Sequence, residues 1–243
     1  MEKNLKEQER HGKLIVIEGL DGSGKATQAK LLADTLSKLQ MGGKAMTVRE
    51  VSFPDYASDS SALVKMYLKG EFGTDPNAVN AYAASSFYAV DRYASFKRDW
   101  SGIYDRENAV IIADRYTTSN AVHQCSKLPR EDWESFLHWL FDYEYHLLGI
   151  PEPDLVLYLR VDPAVSQRLM SERYHGDEKK KDIHEANLAY LERSRQAAEY
   201  CAQHLGWKTV ECAANGEMRS VEDIRKEVLA LSKPLLFHKS GMN

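Results

Sequence analysis

The sequence predicts a three-layer α/β fold, a five-stranded parallel sheet with helices on both faces. Three observations carry this. Short β-branched runs alternate with longer helical patterns, the central run AVIIA is apolar at every position, and a glycine-rich turn follows the first strand. A run with no period-two polarity belongs to a strand covered on both faces.

The elements follow in order. Leu14 to Ile17 reads as a buried strand, ended by Gly19 to Gly24, and Lys25 to Leu39 as a helix with Leu31, Leu32 and Leu36 at helical spacing. Met46 to Val51 is the second strand. Helices are expected over Ser60 to Lys69 and Asn77 to Asp99, then the central strand Ala109 to Ala113. Arg130 to Leu148, rich in Trp and Phe, reads as a helix, Leu155 to Val161 as the fourth strand, and Pro163 as the opening of the next helix. Asn187 to His204 is helical, Lys208 to Cys212 the fifth strand, and Val221 to Leu231 the closing helix.

The 243 residues, 43% of them apolar, suffice for one α/β domain with a sizeable core. A net charge of -4 gives no global attraction to nucleic acid or anionic membrane, so an anionic ligand must be held by locally placed donors. No run approaches the roughly 18 apolar residues of a membrane span. Residues 1–12 are polar and are expected to be a flexible extension without a secretory signal core, with the folded domain over 13–235 and a tail over 236–243. Three cysteines without C-x-x-C spacing exclude a disulfide framework and point to the cytoplasm.

In a parallel sheet, ligands bind beyond the carboxyl ends of the strands. Gly19 to Thr27 reads GLDGSGKAT there, close to the phosphate-loop pattern G-x-x-x-x-G-K-[ST]. Gly19, Leu20, Asp21, Gly22, Ser23 and Gly24 would curl main-chain N–H groups around phosphates at a helix N-terminus, and Lys25 adds a full charge. This predicts ATP as ligand and a P-loop type of fold. Ala26 stands where a hydroxyl normally meets Mg²⁺, and Thr27 is rotated about 100° away, so phosphates, waters and a carboxylate must hold the metal. Asp114 is a candidate. Asp114-Arg115-Tyr116 follows AVIIA, placing a carboxylate and a guanidinium at the same sheet edge.

With IEGLDGSGK, FPDY (Phe53 to Tyr56), YAVDR (Tyr88 to Arg92), DRYTTSN, PDLVLYL (Pro153 to Leu159) and KDIHEANLAYLER (Lys181 to Arg193), the chain resembles the thymidylate kinase family from Lys13 to about Leu235. The resemblance implies phosphoryl transfer from ATP to dTMP, a homodimer, and a mobile lid over about 173–183. It implies Lys25, Asp21, Arg115 and a lid arginine as the catalytic charges, and it adds Asp21 to Asp114 as a metal candidate. Arg115 would contact the acceptor phosphate, Phe53 supply an aromatic wall and Tyr56 a phosphate-contacting hydroxyl. Tyr88 would stack on the base, with Arg92 and Asn120 reading its edge. Asp182 and Glu185 match an acidic pair at the end of the lid.

Three positions depart from the family pattern. Asp55 replaces a basic residue of some members, and His123 replaces a Tyr against the deoxyribose. Gly22 stands where one subgroup has a catalytic Arg, which transfers that role to the lid, with Arg173 and Arg168 ahead of Lys179 to Lys181. Two other readings stay open on the residues alone: a kinase of another nucleoside monophosphate or deoxynucleoside, and a non-catalytic nucleotide-binding regulator.

Overall fold

The computed structural model describes residues 12–41, 43–162, 165–166, 168 and 188–237. Arg173, Asp182 and Glu185, the lid over 173–183, the extension before Gly12 and the tail beyond residue 237 lie outside these residues, as does Pro163.

Five strands form one parallel sheet: β1 (Lys13–Glu18), β2 (Thr47–Ser52), β3 (Ala109–Asp114), β4 (Leu155–Arg160) and β5 (Lys208–Glu211). Their spatial order is β2-β3-β1-β4-β5. Ile17 of β1 pairs with Asp114 of β3 and with Leu157 of β4, so the carboxyl ends of the two central strands lie level. That register brings the turn after Glu18 beside the turn after Asp114.

Alternate side chains of the central strands serve two cores. Ile15, Ile17, Val110 and Ile112 pack against α1 (Lys25–Leu36) and the last helix, Val221–Leu236. Leu14, Val16, Ile111 and Ala113 pack with Phe53, Trp100 and Tyr116 on the opposite face. Burial on both faces explains why these strands read as continuous apolar runs. At about 1.5–3 kcal/mol per large aliphatic side chain, this is the main fixed support for the sheet edge.

Between the strands lie α2 (Ala62–Leu68), α3 (Ala81–Ser95), α4 (Thr117–Cys125), α5 (Trp133–Phe141) and α6 (Leu188–His204), and α7 (Val221–Leu236) follows the last of them. Several boundaries differ from expectation. The helix expected over Asn77 to Asp99 begins as a separate turn, Pro76–Ala78. The Asn80 side chain then caps α3 by accepting from the Ala83 N–H at 2.9 Å, and α3 ends in a π-helical turn, Phe96–Trp100. The stretch Arg130 to Leu148 likewise divides into a 3₁₀ turn, α5 and a π-helical turn at Asp142–Leu147. The segment Ser60 to Lys69 starts as a 3₁₀ turn, Asp59–Ser61, ahead of α2.

Helix α1 stops at Leu36, before a two-residue ribbon, Gln40–Met41 with Lys44–Ala45. Helix α7 runs past Leu231 and through Pro234, because Leu236 remains buried against the sheet core. The stretch from Thr117, read above only as a motif, is itself a helix.

Candidate active site

The loop between β1 and α1 is shaped by its glycines. Gly24 is the N-cap of α1 at φ 86°, a left-handed conformation that favours glycine. A Cβ on Gly19 would meet the Leu159 carbonyl at 2.8 Å and the Ser23 hydroxyl at 2.6 Å, so the tight turn admits no side chain. Lys25 opens α1 almost buried at 7% exposure, its Nζ donating to the Leu20 carbonyl at 2.9 Å and lying 3.8 Å from Asp21 Oδ1. Burial, reinforced by Arg115, lowers its pKa to about 8. Leu20 backs the loop, while Gly22, Ala26 and Thr27 line the cleft beside Lys25. Ser23 buries a hydroxyl that has no hydrogen-bond partner among the described residues.

Arg115 leaves β3 in the left-handed region, φ 65°, its N–H held by the Ile17 carbonyl at 3.1 Å. The turn throws the guanidinium back across the sheet edge. Nη2 donates to Asp21 Oδ1 at 2.5 Å, and Nη1 reaches Ser119 Oγ and His123 Nε2, each at 3.4 Å. Burial opposes ionisation of Asp21, yet Arg115 and Lys25 hold its carboxyl well below the usual range. The Arg115 pKa is raised by Asp21 and Glu18 against the same burial. Burial raises the pKa of Asp114, whose Oδ1 has no partner among the described residues.

His123 is neutral, burial and then Arg115 lowering its pKa to about 3. With Nε2 accepting from Arg115, its proton belongs on Nδ1, 3.3 Å from the Tyr190 hydroxyl, and the two rings stack.

Beyond Arg115 the cleft deepens into a pocket of about 650 Å³ that runs from the phosphate loop to Arg92 and Asn120. Phe53, Tyr56, Tyr88, Arg92, Asn120 and His123 all line it. Their situations differ. Tyr56 stands 56% exposed at the mouth, whereas Phe53 is largely a core residue packed on Tyr116. Tyr88 is half-buried and also joins the cluster of Tyr67, Val79 and Ala84, so it is wall and packing together. Asp55 is not among the lining residues, and its carboxylate accepts from the Ala57 N–H at 3.2 Å.

The deep end contains groups with no signal in any motif. Glu144, fully buried, accepts from Arg92 Nε at 2.7 Å and Nη2 at 2.5 Å, from Thr117 Oγ1 at 2.9 Å and from Asn120 Nδ2 at 3.5 Å. Near the loop, the buried Glu18 accepts from the Gly19 N–H and from the Thr118 and Ser119 hydroxyls, tying α4 to the phosphate loop. Gln124 buries an amide in the pocket wall with neither atom partnered among the described residues.

A second concavity of about 520 Å³ lies at the carboxyl ends of β4 and β5. Arg168 lies here, donating to the Gly216 carbonyl at 3.2 Å, so this lid candidate sits away from Arg115.

A phosphate loop with a buried lysine, next to a deep pocket with its own arginine, can hold two anionic ligands tail to tail. That is the design of a phosphate-loop nucleotide kinase. The chain belongs to the thymidylate kinase family, whose profile matches residues 17–224. It is similar to the thymidylate kinases of Caenorhabditis elegans (29% identical, 88% of both chains) and Mycobacterium tuberculosis (33% identical, over 67% of this chain and 71% of that one). The Schizosaccharomyces pombe thymidylate kinase is 26% identical over 96% of this chain and 97% of its own. The fold matches that of the Candida albicans thymidylate kinase with a TM-score of 0.65, at 20% identity over 93% of this chain and 92% of that one.

Proposed function

We infer that the chain transfers the γ-phosphoryl group of ATP to dTMP, giving dTDP and ADP. One observation carries the site assignment. Lys25 and Arg115 converge on the same carboxylate, Asp21, at 3.8 and 2.5 Å, inside a pocket whose far end offers Arg92 and Asn120.

The phosphates of ATP rest on the loop amides and Lys25, and its nucleoside occupies the concavity beside Arg168 and Asn215. The acceptor phosphate exchanges one Arg115 contact with Asp21 for its own oxygen. Its second pKa is near about 6, so it is already largely dianionic at neutral pH and needs no general base. The task of the protein is to bring two anions into line and neutralise the oxygens between them. By the family pattern, Arg173 supplies the further positive charge.

The donor set fits Mg²⁺. Asp114 has an oxygen without a partner among the described residues, Asp21 shares the sheet edge with it, and Mg²⁺ commonly takes one or two carboxylates with phosphates and waters. Among the described residues no cluster of three His, Cys, Asp or Glu groups forms a cage of its own, which suits a metal carried in with the nucleotide. When bound, the metal neutralises phosphate charge as the phosphoryl group moves.

At the deep end, Tyr88 stacks on the base. Arg92 donates to O4 of thymine, and Asn120, whose Nδ2 is directed at the Ser85 carbonyl at 3.1 Å, presents Oδ1 to N3–H. Tyr56 contacts the acceptor phosphate, and Asp182 and Glu185 serve as a substrate-binding acidic pair, as the family pattern implies. Two copies pair through the exposed Tyr82, Val90 and Tyr93 of α3 and through Leu147, a homodimer that sedimentation tests directly. Three free, buried cysteines fit a cytoplasmic setting, and no described helix is long and apolar enough to cross a membrane.

A coupled ADP-release assay across dTMP, dUMP, UMP, dCMP, AMP and thymidine tests the reaction. The highest kcat/KM belongs to dTMP. A higher value for another acceptor would reassign the substrate, and ADP formation indifferent to every acceptor would leave only a nucleotide-binding regulator.

A further inference from the structure

Helix α5 carries a buried stripe of Trp133, Phe136, Leu137 and Leu140, and the next position on that face is Glu144. A carboxylate at a core position is costly unless every lone pair is used. Here it is held inside the π-helical turn Asp142–Leu147, and its two oxygens receive four donors from three other places in the chain. Its partners are the two residues that face the base end of the pocket, Arg92 and Asn120, with Thr117 beneath them.

The consequences for Arg92 follow from counting its five N–H groups. Nε and one Nη2 hydrogen go to Glu144, and one Nη1 hydrogen to the Tyr116 carbonyl at 3.3 Å. Two hydrogens remain, on the nitrogens at the end of the guanidinium. Asn120 is constrained in the same sense. Glu144 and the Ser85 carbonyl are both acceptors, so the Asn120 NH₂ must face them and its carbonyl oxygen must face the pocket. A donor beside an acceptor results, complementary to the O4 and N3–H of a thymine or uracil. Cytosine presents the reverse pair, an amine against Arg92 and a lone pair against the Asn120 oxygen.

We propose that Glu144 is the positioning residue for base choice in this pocket: its buried carboxylate fixes the donor–acceptor order of Arg92 and Asn120 and so rejects cytosine nucleotides. This rests on the reading that those two residues face the acceptor base. Glu144 also neutralises the Arg92 charge at the deep end, so the charges that face a phosphate, Lys25 and Arg115, sit at the other end of the pocket.

The experiment compares kcat/KM for dTMP, dUMP and dCMP in the wild type, Glu144→Gln and Glu144→Asp. In Glu144→Gln an amide N–H must oppose a donor, so the Arg92–Asn120 pair loses its fixed order. The dTMP:dCMP ratio then falls by at least about tenfold, mainly through KM. The dTMP:dUMP ratio stays within about threefold, because both bases present the same O4 and N3–H edge and differ only by the methyl group. A merely structural role would move the two ratios together or move neither, and either result overturns the proposal.

Each ratio is taken within one preparation, so partial unfolding cancels. Glu144→Asp, which keeps the charge, retains both ratios while dTMP binds more weakly. Collapse of its dTMP:dCMP ratio would also overturn the assignment, and this variant decides the matter should Glu144→Gln yield no folded protein. A wild type that does not prefer dTMP to dCMP would instead sink the base-reading role of Arg92 and Asn120.

Discussion

Arg92 and Arg115 lie in one pocket, each bonded to a carboxylate, and they are held in opposite ways. The side chains of Arg92 and Glu144 are 1% and 0% exposed, and two parallel bonds join them. Those of Arg115 and Asp21 are 18% and 27% exposed, with single contacts spread over Asp21, Ser119 and His123. A buried bidentate pair offers neither charge a replacement partner of the same strength once the other is removed. An open pair can trade one oxygen for another at small cost. The first arrangement suits the fixed shape of a base, the second a phosphate that arrives and leaves.

The contrast is tested most sharply by removing each arginine system in turn. Arg115→Ala lowers kcat/KM by about a thousandfold, in the range of arginines that stabilise transferring phosphoryl groups. Its melting temperature shifts by no more than a few degrees, roughly 1 kcal/mol. Activity assays beside calorimetry read both, and a near-normal rate would remove Arg115 from the chemistry.

Glu144→Ala does the reverse. It strands a buried guanidinium, costs about 3–5 kcal/mol of stability and lowers the melting temperature by roughly 10 °C. Asp21→Ala, by comparison, changes stability by about 1 kcal/mol or less, as expected of a partly exposed pair. Equal losses in the two would erase the distinction.

The open region should also answer to pH. Lys25 carries its charge below about 8 in the free protein and loses it as pH rises through that value. Bound phosphates favour the charged form and push the pKa back up. Hence kcat/KM for ATP falls above about pH 8, approaching tenfold per pH unit, while kcat stays level over the same range. A decline in both would place the titrating group elsewhere. The smallest effect is expected at Ser119, whose hydroxyl lies between Arg115 and Glu18. Ser119→Ala reduces kcat/KM by about fivefold, the weight of one hydrogen bond near 1 kcal/mol.

The same contrast explains what could be read from the residues alone. Glycines and a lysine after an apolar strand, and Asp114-Arg115 after another, are local patterns whose physics needs few neighbours. The sheet was readable for a similar reason, since each strand is a short apolar run closed by turn residues. Glu144 had no local signature, because its meaning depends on Arg92, 52 positions away. Its only trace is its place on the stripe of Trp133, Phe136, Leu137 and Leu140.

Helix α4 escaped for a different reason. Its buried side is largely polar, with Thr117, Thr118, Asn120 and Gln124 facing inward, so no apolar periodicity marks it. Both π-helical turns were merged into longer helices, because an inserted residue barely disturbs a hydrophobic pattern of period 3.6. The roles assigned to Arg173, Asp182 and Glu185 fall outside the described residues.

The left-handed turn at Arg115 sets a limit on how this family member can drift. Two residues, Arg115 and Tyr116, separate the end of β3 from the start of α4. One residue more or fewer must be absorbed by this short turn or by the register of α4, and a one-residue shift in that register turns Ser119, Asn120 and His123 about 100° off the pocket. Length variation at this corner should therefore disturb the site even where the sheet tolerates it. Gains or losses of sequence should accumulate instead at the ribbon around Gly43, which lines neither cavity.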